Sequence, residues 1–429
     1  MASPSLDSDV WQHIPPEILE HVVPRLPVEA IFRLRSVCKK WHQLPFSVSF
    51  RRSCVHPTSQ SPFLVAMRYV DDLRLTPVLS SNGTKWLSLD LTFLHRVFVA
   101  TMCDRINAVS SDGGLLCVCA LNRPIRNVIV VCNPLTKKWK LLPDLKEHKL
   151  VARQVAIRVD KASRDFKVYV LGEDLPLRRR VVYLYESRSD LFKPLLELIN
   201  CAAHVCGAFW GDTFYTISRD LEVVGYDVAG PGSTMTLLRT GIFMHQADRY
   251  KMLTYDDRLF CATSEQGTQN LQNEITNCGV VEFRIYELKL PTRECIRVEV
   301  GLLCLFVYFN VYQNTNFRYD WDFVEHQKLL ILVARSGGDD PQNIRWLEVP
   351  IPPPGSSHRF PPLSDAFSTA REVQWRPNDK FGSRSLLLTS LDLDLNAVVP
   401  ENLVGVHFLT EPQPFDPSDP RTYRLRYVQ

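Results

Sequence analysis

Residues 113–143 read GGLLCVCALNRPIRNVIVVCNPLTKKWKLLP, and this stretch decides the fold. Residues 113–119 read as an inner strand, and 127–132 as a strand rich in β-branched residues. Asn133-Pro134 is a tight turn signal, and the phrase that follows, with Trp139, reads as an outer strand. Weaker copies recur along the chain. Residues 166–172 are followed by 181–186 and 192–198, and 207–217 by 221–228 and 235–239. Then come 252–263 with 280–290 and 295–300, and 323–334 with 344–349. The units recur every forty to fifty residues or about that, the period of a four-stranded propeller blade. Residues 63–67 with 86–94 supply a candidate first blade, and 385–391 with 404–409 are expected to complete the last one.

Composition agrees with a large folded core. The chain has 429 residues, 45% hydrophobic and 23% charged. Fifty basic residues against forty-seven acidic ones leave a net charge of +3, which argues against a broad electrostatic grip on nucleic acid or membrane. The opening residues MASPSLDSDVWQHIPPE have no basic n-region and no apolar h-region, so no secretory signal is expected. The longest apolar run, 302–309, is far short of a membrane span. None of the twelve cysteines falls in a CxxC pair. Cys117, Cys119, Cys261 and Cys304 sit in apolar runs and read as small buried thiols in a reducing compartment, the cytoplasm and/or nucleus. Asn82-Gly83-Thr84 has the form of a glycosylation sequon that would stay unused there.

Residues 14–44, IPPEILEHVVPRLPVEAIFRLRSVCKKWHQL, follow a different rule. Pro15-Pro16 before Glu17 suits a helix start, because proline is pre-set for the first turn and an acid there meets the positive end of the dipole. Ile18 with Val22 and Leu19 with Val23 are i,i+4 pairs on one side. Pro24 closes this helix and Pro27 opens the next. Ile31, Leu34, Cys38 and Trp41 recur at helical spacing, and Ser36 can cap a third helix reaching to about Leu44. A stretch this apolar and this short has too little interior to fold alone, so its exposed face predicts a partner.

These residues resemble the F-box, the helical module that docks on a Skp-type adaptor. The resemblance rests on Ile14-Pro15, Glu17-Ile18-Leu19, Arg25-Leu26-Pro27-Val28 and the run from Leu34 to Trp41. It departs mildly from the family pattern: Ile14 stands where Leu is usual, and Pro24 directly precedes Arg25-Leu26. The resemblance implies that Pro15, Ile18, Leu26, Pro27, Leu34, Val37, Cys38 and Trp41 lie at or near the adaptor contact. Gly113-Gly114, the NPLTKKW phrase and Leu142-Pro143 are similar to the kelch-type propeller of plant F-box/kelch proteins, and the double glycine recurs at Gly337-Gly338. The implied chain is multidomain. Residues 1–9 are a disordered N-terminus, 10–54 a small all-α three-helix F-box and 55–61 a linker. Residues 62–429 are an all-β kelch-like propeller, with six blades favoured over seven.

Catalytic constellations do not emerge. GxSxG, GxxxxGK and HExxH motifs are missing, and the eleven histidines lack metal-ligand spacing, so no catalytic residue, metal or cofactor is assigned. Asp392 and Asp394 alternate with leucines as in a half-exposed strand. Arg178-Arg179-Arg180 reads as a solvated hairpin turn rather than a phosphate site or a nuclear signal. Residues 350–362, PIPPPGSSHRFPP, read as an extended linker rather than a polyproline ligand. Most of Trp86, Trp139, Trp210, Trp321, Trp346 and Trp375 are expected to pack blades rather than to stack on a ligand.

Two functions remain. By the resemblance, the chain is the substrate-recognition subunit of an SCF-type E3 ubiquitin ligase. The F-box docks on a Skp-type adaptor and, through it, on cullin, RING protein and E2. The propeller binds the protein to be ubiquitinated, at residues the sequence does not identify. In the alternative, the propeller is a small-ligand sensor or an enzyme whose abundance or location is controlled through the F-box. A cluster of titratable residues converging on the propeller axis would favour the alternative.

Overall fold

Short strands joined by tight turns dominate the computed structural model, as alternating apolar runs and turn clusters require. The structure describes residues 22–26, 50, 63–67, 69–74, 76–79, 86–122, 126–145, 150–160, 162–174, 179–198, 205–211, 213–227, 237–244, 247, 249–255, 257–268, 279–289, 294–305, 318–326, 328–336, 343–349, 371–374, 387–391 and 399. The chain divides into two units, Met1–Val399 and Pro400–Gln429, and the described residues belong to the first.

The first sheet contains β1 (Phe63–Met67), β2 (Thr76–Leu79) and β3 (Trp86–Leu89). A helix, α1 (Thr92–Ala100), leads to the second sheet: β4 (Cys103–Asp112), β5 (Leu115–Asn122), β6 (Arg126–Asn133) and β7 (Lys138–Leu141). The third holds β8 (Leu150–Val159), β9 (Phe166–Asp174), β10 (Arg180–Glu186) and β11 (Leu191–Leu198). After β12 (Val205–Cys206) comes the fourth: β13 (Ala208–Trp210), β14 (Thr213–Ile217), β15 (Glu222–Asp227) and β16 (Leu237–Phe243). The fifth is β17 (Arg249–Tyr255), β18 (Arg258–Thr268), β19 (Gly279–Lys289) and β20 (Glu294–Leu305), with β12 added in parallel on β17. The sixth is β21 (Arg318–His326), β22 (Lys328–Ser336), β23 (Asn343–Val349) and β24 (Arg371–Gln374).

The chain then returns. β25 (Leu387–Leu391) pairs with β1 from Phe63↔Leu391 to Met67↔Leu387 and becomes the innermost strand of the first sheet. The sequence places these residues in the last unit, together with 404–409. The structure corrects that: a strand from the far end of the chain closes the first sheet and so ties the two ends of a ring. Residues 404–409 lie outside the described residues. β25 touches both β4 and β21, β4 touches β8, and β17 touches β13 and β21. Gln154 of β8 joins the third sheet to Gly207, just before β13. The sheets therefore follow one another round a ring, in a propeller-like arrangement.

Residues 115–120 show why the runs read as they do. Leu115, Cys117 and Cys119 enter a core between the second and third sheets, with Val155, Ile157, Phe166 and Tyr185. Leu116, Val118 and Ala120 enter the core toward the first sheet, with Met67, Leu94, Phe98 and Ile106. A strand buried on both faces needs no polar alternation. Burying each such Val or Leu stabilises the fold by roughly 1.5–3 kcal/mol. Val399, beyond β25, is also buried in the core between the second and third sheets.

Three further expectations change. Residues 113–119 do not begin the innermost strand: β4 lies inside them, and its sequence CDRINAVSSD is too polar to read as core. The run 86–94 ends as strand at Leu89, and α1 follows, with Leu94, Val97 and Phe98 buried at helical spacing. The runs 207–217, 252–263 and 323–334 are each two strands. Gly211 and Asp257, both at positive φ, turn the first two back on themselves.

Turns between strands reuse one plan. Lys137, Arg164 and Asp190 take left-handed backbone and return their N–H to the carbonyls of Asn133, Asp160 and Glu186. Asn133 and Asp160 also accept two backbone N–H bonds each through a side-chain oxygen, which is why these positions favour Asn or Asp.

Candidate functional site

Of the residues implied at an adaptor contact, Leu26 is described; Pro15, Ile18, Pro27, Leu34, Val37, Cys38 and Trp41 lie outside the described residues. Val22 is helical and 49% exposed, while Val23 is buried. A 3-10 turn, Val23–Arg25, follows and contains Pro24, so the helix ends where the sequence predicts. Leu26 leaves it with φ −74° and ψ 152°, the extended backbone that a residue before proline prefers, and donates its N–H to the Val23 carbonyl at 3.1 Å. Its side chain is part-buried.

The ring is a scaffold held by side chains that reach from one sheet to the next. Ser110 Oγ accepts the Ile157 N–H and Asp112 Oδ2 accepts the Val159 N–H, so the second sheet covers the inner edge of β8. Buried Asn127 donates Nδ2–H to the Leu150 carbonyl at 2.6 Å and accepts the Ala152 N–H at 2.9 Å. Gln154 repeats this two-way grip on Gly207. Farther out, Lys137 bonds Asp90, and buried Lys140 pairs with Asp190, which also accepts the Tyr185 hydroxyl. Burial alone would raise the Asp190 carboxyl; the bonds from Lys140 and Tyr185 outweigh it and hold the group below its ordinary range. Burial, then Asp190, pushes the Tyr185 hydroxyl up.

Sequence reasoning did not find these ties. A signal for some of them existed: Ser110 to Ile157, Asp112 to Val159, Asp90 to Lys137 and Trp210 to Asp257 are all 47 residues apart. That separation is one repeat of the sheet, so each residue binds its counterpart's neighbourhood in the next unit.

The other candidates resolve as structure. Arg179 lies between Asp174 and Glu197 beside the β9–β10 connection, as a hairpin residue. Trp139 and Trp210 pack against cores between sheets, and Trp210 Nε1–H bonds Asp257. Cys103, Cys117, Cys119, Cys132 and Cys261 are free and buried. Burial pushes the Cys103 thiol up to about 11, and Cys117, Cys119 and Cys132 higher still, so these are not ready nucleophiles. The side chain of Cys304, Asp392, Asp394 and residues 350–362 lie outside what is described. Among the described residues, no group of His, Cys, Asp and Glu is arranged to hold a metal.

Strand order also defines two faces. Gly113-Gly114, residues 160–165, Gly211 and Asp257 turn innermost strands into second strands on one face. β1 is itself a second strand, so the chain comes into the ring at Phe63 on this face. The opposite face carries α1.

Comparison with known proteins adds to this geometry. Residues 11–55 match the F-box-like family. F-box protein At5g49610 of Arabidopsis thaliana is 27% identical over 206 residues, covering 45% of this chain and 54% of that protein. F-box/kelch-repeat protein At3g61590 of the same plant is 30% identical over 175 residues, 37% of this chain and 38% of that one. F-box only protein 6, also from Arabidopsis thaliana, is 30% identical over 172 residues, 40% and 35% respectively. The chain thus spans between 35% and 54% of the length of these curated relatives. Among solved structures, TolB from Acinetobacter baumannii aligns over 72% of this chain and 67% of its own at 10% identity and a TM-score of 0.40, too weak a likeness to fix fold or function.

Proposed function

We propose that this chain, which is similar to plant F-box and F-box/kelch-repeat proteins, serves as the substrate-recognition subunit of an SCF-type E3 ubiquitin ligase. The observation that carries the reading is the joining of an F-box-like segment, residues 11–55, to a ring that begins at Phe63. The three-helix module docks on a Skp-type adaptor, and through it on cullin, RING protein and E2. The ring, as a six-bladed kelch-like propeller, holds a protein substrate. This chain supplies no nucleophile. Its contribution is proximity: holding a substrate lysine near the E2 thioester raises the effective concentration of the attacking amine. Its place of action is the cytoplasm, the nucleus or both, where buried thiols such as Cys117 and Cys119 stay reduced.

The test is a double substitution, Leu26→Ala with Pro27→Ala. It should abolish co-purification with a Skp-type adaptor while the β-sheet circular dichroism of the full chain stays unchanged. Undiminished adaptor binding would remove the docking assignment.

A further inference from the structure

One ring nitrogen beside the first sheet has two claimants. His95 is buried on α1. Its Nε2 is 3.1 Å from Asp71 Oδ1 and 3.1 Å from Arg74 Nε. Both partners come from the 3-10 turn Val70–Arg74, where a spacing of three residues puts them on one side. Their side chains are 84% and 64% exposed, so each can swing into water. The turn itself is fixed. Val70 and Leu73 are buried with Leu94 and Phe98 of α1, and the Leu73 carbonyl accepts the Leu91 N–H.

The two contacts exclude each other. The Arg74 guanidinium only donates, so its bond needs a bare lone pair on Nε2. The ionised Asp71 carboxylate only accepts, so its bond needs a proton on Nε2. A neutral imidazole meets Arg74 when its one proton sits on Nδ1. An imidazolium has no lone pair and can meet only Asp71. Arg74 Nε is 3.8 Å from Asp71 Oδ1, beyond hydrogen-bond reach, so the ring is its nearer partner. β4 also packs against α1. The other charged side chains on these two elements are Arg96, Asp104, Arg105 and Asp112, the last bonded to the Val159 N–H. Cys103 of β4 stays a neutral thiol, because burial pushes it up to about 11. Asp72 shares the turn, and its side chain lies outside what is described.

We propose that His95 is a proton-operated clasp: the neutral ring holds Arg74, and the protonated ring releases Arg74 and holds Asp71. The proton comes from water to Nε2, and the proton on Nδ1 stays in place. Before the exchange Asp71 is the group left to solvent; after it, Arg74 is. Protonation thus changes which charge the surface beside α1 offers, while the turn and the helix keep their places.

The test uses the full chain with nitrogen-15 in its histidine rings and arginine side chains, followed by NMR from about pH 8 to about pH 5. His95→Gln identifies the ring by loss of its signal. The neutral ring is expected to carry its proton on Nδ1. As it gains the second proton, the Arg74 Nε–H should exchange with water at least about ten-fold faster relative to the other arginines. Arg74→Met should move the neutral tautomer ratio toward Nε2–H by about ten-fold, because Asp71 then has no rival. Asp71→Ala should leave the neutral proton on Nδ1 and move ring protonation to lower pH. Both substitutions are at exposed side chains, so the β-sheet circular dichroism should not change. A neutral parent ring with its proton on Nε2 overturns the clasp, since Asp71 would then hold it throughout. Arg74 exchange that ignores the His95 transition also overturns it, as does a ring that gains no proton over this range.

Discussion

The inner edge of β8 and the inner edges of the fifth sheet face the same physical problem and meet it differently. Each innermost strand has a side with no further strand of its own sheet, and bare backbone there is costly or sticky. At β8 the neighbouring sheet answers with side chains: Ser110, Asp112 and Asn127 bind the backbone at Ile157, Val159, Leu150 and Ala152. At β17 the chain answers with backbone, laying Val205–Cys206 in parallel against Tyr250 and Lys251. One seam is therefore closed by side chains, and the other by a borrowed strand. The contrast predicts where the loss of a side chain costs most stability.

The largest expected effect breaks the closed seam. Asn127→Ala strands a buried carbonyl at Leu150 and a buried N–H at Ala152. Leaving both without a partner costs about 2–4 kcal/mol. The urea midpoint of the full chain should fall accordingly. Gln154→Ala, whose grip on Gly207 is part-buried, should cost less. Equal and small losses would mean that the seams do not depend on these side chains.

Much of this architecture was legible before the structure. Apolar runs separated by Asn-Pro and Gly-Gly signals gave the repeated sheet, and Pro24 marked the end of a helix. What escaped did so for identifiable reasons. β4 reads as surface because its Ser110 and Asp112 serve the neighbouring sheet rather than a core. α1 was hidden because its apolar residues continue the run that starts at Trp86, and its helical spacing emerges only at Leu94, Val97 and Phe98. Gly211 and Asp257 reverse the chain inside runs that are apolar on both sides of the turn, so two strands looked like one. The candidate site divides in the same way. Local motif chemistry announced the F-box-like segment, residues 11–55. The ties between sheets join residues 47 positions apart, a separation that no local pattern records.

A second comparison isolates crowding at the closed seam from backbone strain. Gly113 and Gly211 have nearly the same φ, +53° and +57°. A Cβ at Gly211 would meet nothing within 4 Å, whereas at Gly113 it would come within 2.9 Å of Val159 Cβ on the next sheet. Gly211→Ala should therefore cost the left-handed backbone alone, about 1–2 kcal/mol. Gly113→Ala should cost about 1 kcal/mol or more beyond that, because β4 and β8 must separate. The difference between the two denaturation midpoints is the measurement. Matching midpoints would show that the seam yields without resistance.

The smallest effect tests whether the peripheral ties matter as the inner ones do. The Lys137 ammonium, then the Thr92 hydroxyl and amide, hold the Asp90 carboxyl down at about 2, against an ordinary 3.8. A depressed folded-state value means that this stabilisation is present above the ordinary value and is lost as pH falls from about 4 through about 2. The side chains are 45% and 53% exposed, so solvent screening reduces the contribution to about 0.5 kcal/mol. Lys137→Met should thus lower stability slightly near neutral pH, and the gap from the parent chain should narrow below pH 4. It should also narrow in about 1 M salt. A gap indifferent to both pH and salt would trace the loss to packing of the lysine stem. The sheets would then be joined by their inner clamps and apolar cores, with the outer ion pairs adding little.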